Sequence, residues 1–241
     1  MTILGHLDQH PGINPPGFTA TVTAVSEQTL EVDKTFYYPM GGGQPADRGV
    51  ISADTFRCDV IGVSKKESVI HHIDSIEGKI QAGDIVQCSI DQMWRNQLSQ
   101  MHTAQHLISA LAHEEWGANT VGNQIGNERT RIDLQFENRD VFDRDHLQQM
   151  VNEAIQKDLT VRMDFRPSEE LLDDPLVRVN MSRMPPNIDI WRTISIGDLD
   201  VCPCAGTHVL NTGMIPPVEI TKVKSKGAGR LRVEYIMNDC Y

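Results

Sequence analysis

Residues 84–113, DIVQCSIDQMWRNQLSQMHTAQHLISALAH, hold the point at which the chain changes texture. Up to Ile90 apolar and polar residues alternate with a period of two, which turns one face of a strand into a core. After Asp91, whose side chain suits a helix N-cap, no Gly or Pro occurs as far as His113. Met93, Leu98, Met101, Leu107, Ile108 and Leu111 return there at helical spacing. The stretch reads as the end of a strand-built region and the start of a long helix, which sets a domain boundary near residue 90.

Outward from that point, the N-terminal side offers FTATVTAVS from Phe18, TLEVDKTFYY from Thr29, FRCDVIGVSKK from Phe56 and SVIHHID from Ser68. β-Branched residues fill these runs, and Gly, Asp and Lys-Lys-Glu separate them, with Lys65 to Ser68 as a hairpin tip. On the C-terminal side TRIDLQFEN reads as a strand and Asp143 to Leu159 as an N-capped amphipathic helix. Strand follows at VRMDF, then a short helix and loop over 168–187, then strands at IWRTISIG, PPVEITKVKSK and GRLRVEYIM. The expected fold is α+β: a small antiparallel β-barrel domain over 1–90, followed by an α+β domain with antiparallel sheet and helices over 91–241.

Composition narrows the function. The 241 residues carry 22 basic and 33 acidic side chains, a net charge of -11, which opposes indiscriminate binding to nucleic acid. A polyanion must therefore meet a local basic patch, and Lys222, Lys224, Lys226, Arg230 and Arg232 supply one with no acidic residue between them. Arg95, Arg129 and Arg183 are further candidates. Five cysteines (Cys58, Cys88, Cys202, Cys204, Cys240) form an odd, uneven set that suits reduced thiols or metal ligands better than a disulfide framework. No apolar run is long enough to span a bilayer and the N-terminus lacks a signal-peptide pattern, so a cytoplasmic protein with no membrane contact is expected.

Three motifs carry chemistry. His102 and His106 lie four residues apart on one face of the predicted helix, where two imidazoles can share a metal. Thr103 occupies the position where a zincin metalloprotease needs its Glu, which disfavours peptide hydrolysis. A hundred residues later, Cys202-Pro203-Cys204-Ala205-Gly206-Thr207-His208 adds sulfur and nitrogen donors in a tight turn. Two His, one Cys and a third His form the mixed set of tetrahedral zinc, and either cysteine could be the ligand. The third motif, Tyr37-Tyr38-Pro39-Met40-Gly41-Gly42-Gly43-Gln44-Pro45-Ala46-Asp47-Arg48-Gly49, exposes backbone at consecutive glycines but lacks the Lys and Ser/Thr of a phosphate-binding loop. His71 and His72 read as surface residues of a hairpin, His6 and His10 as incidental, and Trp94, Trp116 and Trp191 as core or boundary aromatics.

In this order the three motifs resemble the editing domain of alanyl-tRNA synthetase and its free-standing relatives, the AlaX proteins, with a likeness that covers nearly the whole chain. No aminoacylation domain is present, which makes the chain similar to an AlaX of medium length. The resemblance implies one zinc ion held by His102, His106, Cys204 and His208. It makes Gln124, with Thr103, the candidate for contact with the aminoacyl group, while the exposed backbone of Gly41, Gly42 and Gly43, with Gln44, is expected to press against substrate or the neighbouring domain near the zinc cleft. Arg131-Ile132-Asp133-Leu134 matches a family strand that supports the site. Met40 stands where many relatives carry Glu, and Ala205 where they carry Gly.

The implied activity is trans-editing: hydrolysis of the ester joining a wrong amino acid, chiefly serine and in second place glycine, to the acceptor end of tRNA(Ala), with Ala-tRNA(Ala) spared. A site built to hold the serine hydroxyl rejects the analogue lacking it, because its own polar groups would stay unpaired. The basic segment from Lys222 to Arg232 is expected to track the acceptor stem, and no obligate protein partner is inferred. The rival readings are a non-catalytic zinc module that binds RNA or protein, and a zinc hydrolase acting on a small ester or amide.

Overall fold

Val86, Cys88 and Ile90 turn inward and Ile85, Gln87 and Ser89 outward, so the alternation that closes the first region is that of a barrel wall. The computed structural model describes residues 2–238 apart from 11, 14, 16 and 178–187. Its first elements are β1 (Ile3–Leu4), α1 (Gly5–Asp8), β2 (Phe18–Val25), β3 (Thr29–Val32), β4 (Lys34–Thr35), β5 (Gly49–Ala53), β6 (Phe56–Lys65), β7 (Val69–Gly78) and β8 (Ile85–Ile90). β2, β3, β7, β6, β5 and β8 close into an antiparallel barrel, which leaves no exposed sheet edge. Leu30, Val32, Tyr37, Ile51, Val60 and Val86 are among the side chains that fill it.

The second region continues with α2 (Gln92–Trp116), β9 (Asn119–Gln124), β10 (Thr130–Gln135), α3 (Arg144–Gln156), β11 (Val161–Pro167), α4 (Ser168–Leu172), β12 (Ile190–Ile196), β13 (Asp200–Pro203), β14 (Val218–Ser225) and β15 (Arg230–Met237). Asp91 caps α2 by accepting from the Trp94 amide, and Gly117, in the left-handed region, ends it. A sheet of order β14-β15-β10-β9 and another of order β11-β12-β13 flank α2. Leu98, Met101, Leu107 and Ile108 of α2 join Ile132, Leu134, Leu147, Ile194 and Val233 in one core. The architecture is thus α+β with a six-stranded antiparallel barrel. Four strands had no legible pattern: the two-residue β1, β5, the bulged β9 and the four-residue β13. Of the short helix and loop expected over 168–187, the helix is α4, and residues 178–187, with Arg183 among them, lie outside the described residues, as does Cys240. Cys58, Cys88, Cys202 and Cys204 form no disulfide.

The two regions meet along a polar seam. Arg95, on the first turns of α2, is buried and points its Nε at both oxygens of Asp47, at 2.9 and 3.0 Å, while its Nη2 donates to the Phe36 carbonyl at 2.7 Å. Asp47 also accepts from the Tyr38 amide at 2.6 Å. Arg95 is therefore not free to meet RNA: it fastens the loop after β4 to the helix. Trp94 stands beside it at the boundary, its Nε1 donating to the Ala46 carbonyl and its ring covered by the Arg48 guanidinium.

His71 corrects a second expectation. It is wholly buried inside the barrel, held by Thr35 Oγ1 and the Leu30 carbonyl, whereas its neighbour His72 is exposed. Strand alternation sends adjacent residues to opposite faces, so the pair could never have shared one environment. His10 is no bystander either, since its Nε2 meets the Val161 carbonyl at 2.5 Å and ties the N-terminal segment to β11.

Candidate metal centre and its cleft

Helical spacing brings His102 and His106 to one face of α2, and the turn after β13 brings Cys204 and His208 over that face. Their donor atoms all lie within 4.8 Å of one another. Cys204 Sγ is 3.7 Å from His102 Nε2 and 3.3 Å from His208 Nε2. A tetrahedral ion with Zn–S near ~2.3 Å and Zn–N near ~2.0 Å separates sulfur from nitrogen by about 3.5 Å, so these distances suit one ion. Cys204 is the member of the cysteine pair that joins the cluster, and Cys202 lines the cleft beside it.

Proton accounting fixes which ring atoms are available. His102 Nδ1 lies 2.8 Å from Gln44 Oε1, and His106 Nδ1 lies 2.9 Å from Asp200 Oδ2, acceptors that require each ring to donate. The Gln44 amide is oriented by Thr207, whose backbone N–H donates to Oε1 at 3.1 Å while its Oγ1 accepts from Nε2 at 2.9 Å. Thr103 Oγ1 donates to the Ser99 carbonyl at 2.8 Å and accepts from the Val209 amide at 3.2 Å, so His208 Nδ1, at 3.1 Å, must also donate to it. All three rings therefore carry a proton on Nδ1 and turn Nε2 inward, the atom that faces a metal once any proton on it is displaced.

Burial alone would push the Cys204 thiol up, but the His102 and His208 imidazoles pull its pKa well below the usual thiol range. Burial likewise opposes a charge on His106, and hydrogen bonds to Asp200 and Cys204 outweigh it, raising its pKa to about 10. An entering cation must displace that proton. Gly206 is obligatory here, because a Cβ would fall on the His102 ring and within 2.9 Å of Gln44 Oε1.

The same accounting corrects three assigned roles. Thr103 has used its one donor and both lone pairs inside the protein, so it supports His208 and has nothing left for a substrate. Gln44, 1% exposed, positions His102 instead of reaching into the cleft. Gln124 is exposed at the end of β9, opposite Arg131 in the sheet register; its neighbour Asn123 lines the cleft. Arg131 and Asp133 lie on that outer sheet face as well, while Ile132 and Leu134 point into the core.

The glycine run forms a tight turn in which Gly41 and Gln44 exchange backbone hydrogen bonds, with Gly42 and Gly43 at positive φ. A Cβ on Gly43 would collide with the Asn123 side chain, and its carbonyl accepts from Ile125 at 2.8 Å. The loop is thus a buttress between barrel and β9, and Gly41 and Gly42 help line a cleft of about 560 Å³ that three of the four donors, His102, His106 and Cys204, also line, with His208 buried. His102, Gln105, His106, Ser109 and His113 line it from one face of α2, a spacing legible in the sequence. Gln105 donates to Ser109 at 2.7 Å, Thr120 donates to Ser109 at 2.9 Å, and Asn123 donates to Gln105. Met40 is exposed at the rim. His6, expected to be incidental, is buried in the cleft wall. Asp200 was also missed, since 94 residues separate it from His106 and no local pattern marks it.

Among the basic residues, Lys222, Lys224, Lys226 and Arg230 are exposed on and around the β14–β15 hairpin. Arg232 is committed to Asp133, with bonds of 2.7 and 2.9 Å, and Arg129 pairs with Glu234.

Residues 13–94 match the family model of tRNA synthetases class II (A), and residues 191–234 match that of the threonyl and alanyl tRNA synthetase second additional domain. The alanyl-tRNA editing protein AlaX-M of Saccharolobus solfataricus is 34% identical over 224 residues, 90% of this chain and 92% of that protein. AlaX-M of Methanosarcina barkeri is 33% identical over 233 residues, 92% and 94% of the two chains. The chain belongs to the AlaX family of alanyl-tRNA editing proteins. The longer AlaX-L of Pyrococcus horikoshii is 35% identical over 209 residues, 85% of this chain and 50% of that protein. In this AlaX chain, no described helix is long and apolar enough to cross a membrane.

Proposed function

We propose that this chain hydrolyses the ester joining a wrong amino acid to tRNA(Ala), serine foremost and glycine in second place, and spares Ala-tRNA(Ala). One observation carries the reading: four donors converge, and three of them, His102, His106 and Cys204, line a cleft of about 560 Å³ instead of closing a sealed structural knot. The family's name supplies the substrate class. A closed zinc module would have no use for the adjoining cavity.

His102, His106, Cys204 and His208 would hold one zinc ion, which supplies Lewis acidity at neutral pH. Gln44, Asp200 and Thr103 keep the imidazole lone pairs aimed at it. Gln105, Ser109, Thr120 and Asn123 line the wall nearest the donors, and their hydroxyl and amide groups suit a substrate hydroxyl and amine. A serine hydroxyl can add a hydrogen bond to them, whereas an alanine methyl would displace their water without replacing its bonds. The rim turn at Gly41 and Gly42 brings backbone close to the incoming RNA end. Lys222, Lys224, Lys226 and Arg230 offer the cations that a chain of net charge -11 otherwise lacks for a phosphate backbone. Such editing takes place where translation does, in the cytoplasm.

The test is side-by-side deacylation of Ser-tRNA(Ala), Gly-tRNA(Ala) and Ala-tRNA(Ala), with metal content measured on the same preparation. Fast hydrolysis of the first, slower hydrolysis of the second, a spared third and one zinc per chain are expected. Hydrolysis of none of them removes the reading.

A further inference from the structure

Ser109 and Thr120 both line the cleft, and both are partly exposed in it. Ser109 stands about one turn of α2 beyond His106, on the helical face that carries His102 and His106, and Thr120 lies on the neighbouring edge strand β9. Hydrogen-bond accounting gives the two hydroxyls opposite characters. Ser109 Oγ accepts from Gln105 Nε2 at 2.7 Å and from Thr120 Oγ1 at 2.9 Å, which uses both of its lone pairs. Earlier on the same helix, Ser99 and Thr103 turn their protons back onto the carbonyls of Arg95 and Ser99. The Ser109 proton has no such acceptor among the described residues, so Ser109 can only donate to a further partner. Thr120 has given its proton to Ser109, and no described group donates to it, so it can only accept. Asn123, which donates to Gln105 Oε1 at 3.3 Å, keeps the Gln105 amide turned with Nε2 toward Ser109 and so fixes this polarity.

We infer that this pair is the specificity-determining element of the cleft: Ser109 donates to the side-chain hydroxyl of a seryl ester, and Thr120 accepts from it. This rests on the aminoacyl-tRNA reading above. A donor and an acceptor 2.9 Å apart are within reach of one hydroxyl, and a hydroxyl is the group that both accepts and donates. The substrate's ammonium can only donate and its ester carbonyl can only accept, so neither satisfies the pair. An alanine methyl satisfies neither member. The ribose hydroxyl beside the ester has the same dual character, but every tRNA carries it, and a pair engaged with it would not separate serine from alanine. The third hydroxyl in the cleft wall, that of Tyr38, already donates to the Gly41 carbonyl at 2.8 Å. With the substrate hydroxyl in place, the bonds run in one direction, Thr120 to Ser109 to substrate to Thr120, and bonds so linked strengthen one another. Metal binding and side-chain selection would then occupy successive turns of one helix face, at His106 and at Ser109.

The zinc-loaded protein is titrated calorimetrically with two non-hydrolysable mimics of a charged RNA end. Both are 3′-amino-3′-deoxyadenosine acylated through an amide, one with serine and one with 2-aminobutyrate, in which a methyl group replaces the hydroxyl. The seryl mimic is expected to bind at least about tenfold more tightly. That preference should fall to about twofold or less in Ser109→Ala and in Thr120→Val, and return in Thr120→Ser, which keeps the hydroxyl. Equal binding of the two mimics by the wild-type protein overturns the assignment. A preference that survives in folded Ser109→Ala or Thr120→Val also overturns it, since another group, such as the metal, then reads the hydroxyl. If instead the Ser109-dependent part of binding is lost with a 2′-deoxy seryl mimic and kept with the 2-aminobutyryl one, the pair reads the ribose and the assignment falls. Should Ser109→Ala fail to fold, Thr120→Val against Thr120→Ser carries the same test. In deacylation, kcat/KM for Ser-tRNA(Ala) relative to Gly-tRNA(Ala) should drop about tenfold in the two variants that lose a hydroxyl, with metal content retained; an unchanged ratio overturns the assignment. Should no aminoacyl-tRNA be hydrolysed while the preference between mimics still depends on Ser109, the editing reading fails and the hydroxyl-reading pair survives it.

Discussion

In the barrel, His71 is fully enclosed and both ring nitrogens are used, one by Thr35 Oγ1 at 2.9 Å and the other by the Leu30 carbonyl at 3.1 Å. In the cleft, His102, His106 and His208 are as thoroughly buried, yet each gives only Nδ1 to the protein and turns Nε2 toward the other two and Cys204. Burial and residue type are the same in the two places. What separates a structural histidine from a ligand is whether the fold leaves one nitrogen over, and in which direction it points.

The largest effect should come from removing one of the surplus nitrogens or the thiol. His106→Ala or Cys204→Ala is expected to lose the bound metal and at least about 100-fold in deacylation, with a fall in melting temperature. Full metal content in either variant would erase the distinction between the two kinds of histidine. His71 provides the converse. Burial lowers its pKa to about 4 from an unfolded value of 6.5, so the unfolded chain binds the extra proton between those limits. Its contribution is complete above about pH 6.5 and is lost as pH falls toward 4, roughly 3 kcal/mol in all. Urea unfolding across that window should show a shallower pH dependence in His71→Gln, whose amide can still donate and accept, with metal content unchanged. Identical pH dependence in the two proteins would contradict the buried, neutral assignment.

A subtler change leaves the ligand in place and disturbs only its aim. Asp200→Asn keeps the shape but weakens the acceptor at His106 Nδ1, and should cost about 10–100-fold in metal affinity, read by competition with a chelator, while the fold persists. Affinity equal to wild type would mean that Nδ1 anchoring does not distinguish the cleft rings from His71. The smallest effect belongs outside both regions. Lys222→Ala and Lys224→Ala should each reduce the salt slope of tRNA binding by about 1 and leave metal content and melting unaltered. An unchanged slope moves the RNA track to another face.

Periodic signals were legible because they are local. Asp91 and Gly117 bound a helix that the sequence already delimits, and the spacing of His102, Gln105, His106, Ser109 and His113 fixes one helical face before any tertiary contact exists. β9 escaped because Gly122 and a register shift interrupt its alternation, and β13 because four residues are too few to show one. The roles of Thr103, Gln44 and Gln124 were illegible for a different reason. A motif says that a polar side chain is present, and only its partners show whether any hydrogen-bonding capacity remains for a ligand.

By itself the amino-acid sequence determined the strand and helix periods, the donor types and their spacing within each half of the cluster, and the glycines that a close turn demands. These depend on residues a few positions apart, where covalent geometry fixes what can share a face. The tertiary structure decided which nitrogen of each ring is left over, that Asp200 stands behind His106 and Thr103 behind His208, and that Arg95 and Arg232 are already paired. Those facts depend on side chains up to 163 positions apart meeting or failing to meet, as Gln44 meets Thr207, and packing alone sets such distances.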